Sequence, residues 1–131
     1  MSKSNRTILL VDDDAWFSDS LVTSLNDYLV IKTSDPDQVF DLIERYRPDL
    51  ILADIMLGAR NLFALLHEMQ SHLDTRDVPV VILSAIAKRI DPIDAEQLGV
   101  RLVLDKAEIT PDILADRIAS IIAPMPLVGT S

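Results

Sequence analysis

Leu50-Ile51-Leu52-Ala53-Asp54 is a run of four apolar residues closed by a carboxylate, and it decides the reading of the chain. A run this short, aliphatic from end to end, suits a strand buried on both faces of a sheet better than an amphipathic helix. The same grammar recurs. Ile8-Leu9-Leu10-Val11 is followed by Asp12-Asp13, Val80-Val81-Ile82-Leu83 by Ser84, and Leu102-Val103-Leu104 by Asp105 and Lys106. Leu29-Val30-Ile31 is a fifth run. Segments with helical spacing separate them, so strands and helices alternate around a parallel sheet, giving an α/β sandwich of three layers.

The helices carry start signals. Asp35-Pro36-Asp37-Gln38 supplies an N-cap, a proline at the first helical position and a glutamine at the third, and predicts a helix with Val39, Leu42, Ile43 and Tyr46 on one face. Thr110-Pro111 does the same for the last helix, whose Ile113, Leu114, Ile118, Ile121 and Ile122 form its apolar stripe. Phe17, Leu21 and Leu25 mark the first helix, and residues 62–73 the third. Asp91-Pro92 opens a fourth helix of about two turns that stops at Gly99, leaving residues 85–90 as a mobile connection.

A chain of 131 residues holds one domain with a sizeable core. Residues 7–123 form that domain, residues 1–6 are an extended start, and the proline-broken residues 124–131 are a flexible tail or the start of a linker. The chain has no cysteine, which removes disulfides, thiol catalysis and cysteine-ligated metals. A net charge of −9 with scattered basic residues argues against nucleic-acid binding. No apolar run approaches the ~20 residues of a membrane span, and the polar start lacks a secretory signal, so the expected location is the cytoplasm.

In open parallel sheets, ligands bind beyond the carboxyl ends of the strands, where the strand order reverses. Asp12, Asp13, Asp54, Ser84 and Lys106 all follow strand runs and fall at that edge. Three crowded carboxylates repel one another unless a cation joins them, and Mg²⁺ with oxygen ligands answers that need. Lys106 can neutralise a phosphoryl oxygen and Ser84 can hydrogen-bond another, with Asp54 placed to form an acyl phosphate.

With these motifs in order, the chain resembles the receiver domains of two-component response regulators. Ser84 lies 84 − 54 = 30 residues and Lys106 lies 106 − 54 = 52 residues beyond Asp54, spacings similar to the family's. The resemblance covers about residues 7–122 and implies a flavodoxin-like fold, a doubly wound sheet of five parallel strands in the order 2-1-3-4-5 with helices on both faces. It further implies that Asp54 takes a phosphoryl group from a phosphohistidine on a sensor kinase or phosphotransfer protein. Asp13, Asp54 and the backbone carbonyl of Met56 would bind Mg²⁺, with Asp12 assisting through water. Lys106 and Ser84 would contact the phosphoryl group, and Ser84 would pass the signal to the fourth helix and fifth strand. The implied protein is a switch with self-catalysed phosphotransfer and dephosphorylation, not a turnover enzyme. Its partners are the kinase, an output domain or target protein and, in a homodimer, a second copy.

Departures from the family pattern fall mostly on the signalling half. Gly58 stands where relatives usually have proline, Leu62 where they have glycine, Val103 at the place of an aromatic relay, and Ala107 where proline follows the lysine. The loop after Asp54 is therefore expected to take another path. Met56 and Ile86, both apolar, flank the approach of water, which predicts slow loss of phosphate.

Two other readings use the same residues. One is a degenerate receiver acting only as a protein-binding module. The other is a haloacid-dehalogenase-like phosphatase with Asp12 as nucleophile, read from Asp12-x-Asp14, although Trp16 and the lack of a late acidic pair depart from that pattern. His67 and His72 read as surface residues, Trp16 as a packing residue near the acidic pair, and Asp105 as an exposed neighbour able to compete for the charge of Lys106.

Overall fold

The structure is a computed structural model in which residues 6–57 and 60–123 are described. Five parallel strands, β1 (Thr7–Val11), β2 (Leu29–Thr33), β3 (Leu50–Ala53), β4 (Val80–Ser84) and β5 (Val100–Asp105), form one sheet in the order β2-β1-β3-β4-β5. This is the expected doubly wound arrangement. Helices α1 (Ala15–Ser24), α2 (Val39–Tyr46), α3 (Phe63–Gln70), α4 (Pro92–Gln97) and α5 (Pro111–Ala119) cover it.

Alternate residues of the central strands feed two separate cores, which is why the runs are apolar throughout. Leu9, Val11, Ile51, Ala53, Val80 and Ile82 face Val39 and Ile43 of α2, Leu66 and Met69 of α3, and Ala95 of α4. Ile8, Leu10, Leu50, Leu52, Val81 and Leu83 face Leu21 and Leu25 of the first helical segment and Leu114 and Ile118 of α5. Each fully buried aliphatic side chain contributes about 1.5–3 kcal/mol relative to exposure. β2 is an edge strand, and its Leu29 is exposed.

Register places the strand ends. Val11 pairs with both Thr33 and Ala53, so Asp12 and Asp54 leave the sheet side by side. Their N–H groups donate to Thr33 O and Val11 O, each at 3.0 Å, which extends the ladder one residue and fixes both main chains. Between β4 and β5, Val80 pairs with Val100 but Val81 with Leu102, leaving Arg101 as an extra residue. That bulge brings Asp105, not Leu104, level with Ser84, and Lys106 immediately follows.

Several helix expectations need correction. Asp35 caps as read, accepting from Asp37 N at 2.9 Å, but it opens a 3₁₀ turn, Pro36–Gln38, before α2 begins at Val39. Gln38 does not reach back to Asp35, because its Oε1 accepts from the Thr33 hydroxyl at 3.0 Å. Tyr46 and Ile113 are exposed instead of core, because they fall at the ends of their helices, where the Tyr46 ring lies 5.7 Å from the Arg45 guanidinium, and Ile121 and Ile122 lie beyond α5. The third helix is shorter than residues 62–73, with Leu62 as its buried N-cap and Leu73 exposed.

The fourth helix starts at Pro92, capped by Asp91, and reaches Gln97. The connection before it contains a 3₁₀ turn, Ala87–Arg89. After Asp54 the chain forms an unanticipated antiparallel hairpin in which Met56–Leu57 pairs with Arg60–Asn61. Gly58, residues 1–5 of the expected extended start, the tail at 124–131, and the side chains of Trp16 and Phe17 lie outside the described residues.

Candidate functional site

Lys106 is the hub of the strand-end cluster. Its Nζ donates to Asp12 Oδ1 at 3.1 Å, Asp12 Oδ2 at 3.0 Å and Asp54 Oδ2 at 3.2 Å. Asp12 is the most enclosed of the three, with a side chain 1 % exposed against 11 % for Asp54 and 16 % for Lys106. The two carboxylates therefore converge on one cationic point at the carboxyl edge of the sheet. Asp14 Oδ2 stands 4.0 Å from the same ammonium, and Asp14 N donates to Asp12 Oδ1 at 2.9 Å.

Two opposing influences set the charge of Lys106. Burial, the largest single one, pushes its pKa down, but the hydrogen bond and charge of Asp12, followed by those of Asp54, together outweigh it. The ammonium is held above its ordinary value and stays protonated through the physiological range.

Ser84 is fully buried at the end of β4. Its carbonyl accepts from Lys106 N at 3.1 Å, tying the two strand ends together, while its Oγ accepts from Ile86 N at 3.1 Å. The hydroxyl is thus committed to the turn leading to α4. Asp13 is exposed beside the buried Asp12, and Met56 begins the short hairpin two residues after Asp54. Among the described residues, no three carboxylates or imidazoles form a ready-made metal cage. Asp12 and Asp54 nonetheless offer carboxylate oxygens, the ligand type of a hard divalent ion, at one point that Lys106 occupies.

Two neighbours behave differently from expectation. Asp105 Oδ1 accepts from Ala107 N at 2.9 Å and shapes the turn into the last loop. Asp14 is a carboxylate that approaches Lys106. The sequence signal for it was the Asp12-Asp13-Asp14 run, whose third member reads equally well as part of a helix cap.

The sequence profile of the response regulator receiver domain matches residues 8–119. The chain belongs to that family. Among curated relatives, this receiver domain is 33% identical over 93 residues to response regulator MprA of Mycobacterium sp. (strain KMS), covering 67% of this chain and 40% of the relative. The chain spans about two fifths of the length of the curated relatives it matches. Among solved structures, the receiver domain of sensor histidine kinase PA1611 from Pseudomonas aeruginosa PAO1 superposes with a TM-score of 0.75 at 27% identity, covering 91% of this chain and 98% of that one. That structure carries a magnesium ion in its active-site cleft. The N-terminal domain of a response regulator receiver protein from Methanoculleus marisnigri JR1 gives 0.66 at 29% identity, covering 89% and 96%. The receiver fold implied by the family resemblance is thus borne out, and its place is two-component signalling. No helix among the described residues is long and apolar enough to cross a membrane.

Proposed function

We propose that residues 7–123 work as a phosphorylation switch in which Asp54 is the acceptor. The observation that carries this reading is the Lys106 bridge, which joins the strand-end carboxylates at the edge where parallel sheets bind ligands. Asp54 is the more accessible of the two buried carboxylates, so a donor reaches it before Asp12.

A carboxylate oxygen of Asp54 attacks the phosphorus of a phosphohistidine. The new O–P bond forms as the P–N bond breaks, and the imidazole leaves with the bonding electron pair and takes up a proton. Lys106, already 3.2 Å from Asp54 Oδ2, balances the charge of the phosphoryl oxygens. Asp12, Asp13, Asp54 and the Met56 carbonyl would hold Mg²⁺, which when bound supplies further neutralisation of those oxygens. Ser84 Oγ would exchange its bond from Ile86 N for one donated to a phosphoryl oxygen, and this exchange carries the signal into the turn before α4. The partners in this reading are a histidine kinase or phosphotransfer protein in the cytoplasm and an output domain or target.

Incubation with acetyl phosphate and Mg²⁺, followed by intact mass, tests the proposal. One phosphoryl group gained by the native protein and none by Asp54→Asn supports it. No gain in either points to a binding module, and turnover of a phosphomonoester that depends on Asp12 points to a phosphatase.

A further inference from the structure

Between α3 and α4 lies a cavity of about 540 Å³ whose apolar wall is formed by Phe63, Ile86, Ile90 and Leu98. That volume falls within the range of small-molecule sites, about 300–1,000 Å³. Its back is braced, since Gln70 Nε2 donates to Leu98 O at 3.2 Å and Arg76 O at 3.3 Å, pinning α3 to the end of α4. The rim carries two carboxylates, Asp91 and Asp94, against one guanidinium, Arg89. The charges of those three sum to −1, in a chain of net charge −9. An aromatic ring beside an acidic rim favours a cation with an apolar body.

The cavity is also wired to the acceptor site. Ile86 lines it, and Ile86 N is the group that donates to Ser84 Oγ at 3.1 Å. If Ser84 turns toward a phosphoryl group, as the reading above requires, that wall loses its tether. A ligand held against Ile86 then has different affinities for the two states, and by linkage it biases them.

We propose that the α3–α4 cavity binds small amphipathic cations, and that its occupancy is coupled to the Ser84 hydroxyl through Ile86. Phenyltrimethylammonium is the probe and benzenesulfonate its anionic counterpart, each titrated into the ¹⁵N-labelled chain at one fixed pH. Saturable shifts at the amides of Phe63, Ile86 and Leu98 are expected with the cation, with affinity about tenfold weaker for the sulfonate and in Asp94→Lys. In Ser84→Ala, which removes the acceptor of the Ile86 N–H, affinity should change by about threefold or more.

No saturable shift at those amides at millimolar probe overturns the site. Equal binding of the sulfonate overturns the ligand class. An unchanged affinity in Ser84→Ala overturns the coupling. None of these arms uses phosphate, so failure here is distinct from failure of Asp54 to accept a phosphoryl group.

Discussion

Replacing Lys106 with methionine keeps much of the apolar stem and deletes the ammonium, along with hydrogen bonds of 3.0, 3.1 and 3.2 Å. Breaking a buried ion pair from one side costs about 3–5 kcal/mol, because the other charge stays buried without compensation. Here two carboxylates lose their shared ammonium, and the nearly inaccessible Asp12 suffers more than Asp54, whereas Lys106 itself keeps 16 % exposure. That residual solvation places the expected loss at the lower end, about 3 kcal/mol.

Urea unfolding followed by far-ultraviolet circular dichroism, with chelator present, reads this directly. The pH dependence provides a second test. Because the folded pKa of Lys106 is raised, its contribution is fully present below the unfolded lysine value of about 10.4 and is lost as pH rises through the folded value. The deficit of Lys106→Met should therefore be steady from pH 7 to pH 9 and shrink only in alkali as the native chain loses the same interaction. A loss below about 1 kcal/mol, the scale of a surface ion pair, would refute the buried-hub argument. So would a deficit that alkali leaves unchanged.

Three further outcomes follow from individual residues. Arg47 ends α2 with φ of 49°, a left-handed conformation that costs a side chain about 1 kcal/mol, so Arg47→Gly should raise stability by roughly 0.5–1 kcal/mol in the same urea assay, where no gain counts against it. Gly99 has φ of +83°, and an added Cβ would lie 2.7 Å from Gln70 Nε2, so Gly99→Ala should cost about 1–3 kcal/mol, a neutral result contradicting the described backbone. Met56 and Ile86, two residues after Asp54 and Ser84 in the sequence, are apolar, and the phosphorylated chain is expected to hold its phosphate for minutes or longer by intact mass; loss within seconds would dispose of that idea.

What the sequence made legible was whatever depends on burial and local capping. Residues 8–11 and 50–53 are recognisable because strands covered on both faces must be apolar at every position. Asp91-Pro92 and Thr110-Pro111 mark true helix starts because their side chains accept the orphan N–H groups of Ile93 and Ile113. Register was not legible. The bulge at Arg101 decides that Lys106 follows the residue level with Ser84, yet nothing in local composition distinguishes five strand residues from six. Periodicity likewise assigns Tyr46 and Ile113 to an apolar stripe without saying whether a neighbour covers the stripe's end.

The site itself shows the same division. Counting carboxylates in the sequence called for an external cation, whereas Lys106 already bridges Asp12 and Asp54 from within the chain. Only the fold reveals that the residue expected to meet a phosphoryl group also holds the acceptor arm together. Ser84 is buried beside this hub with its hydroxyl committed to Ile86, a contact two residues apart that no motif announces.

The most direct test of the central claim is the location of the acyl phosphate. After incubation with acetyl phosphate and Mg²⁺, borohydride converts a phosphorylated aspartate to homoserine, and peptide sequencing by mass spectrometry finds its position. The account predicts homoserine at position 54 alone, whereas homoserine at position 12, or at neither position, would contradict it.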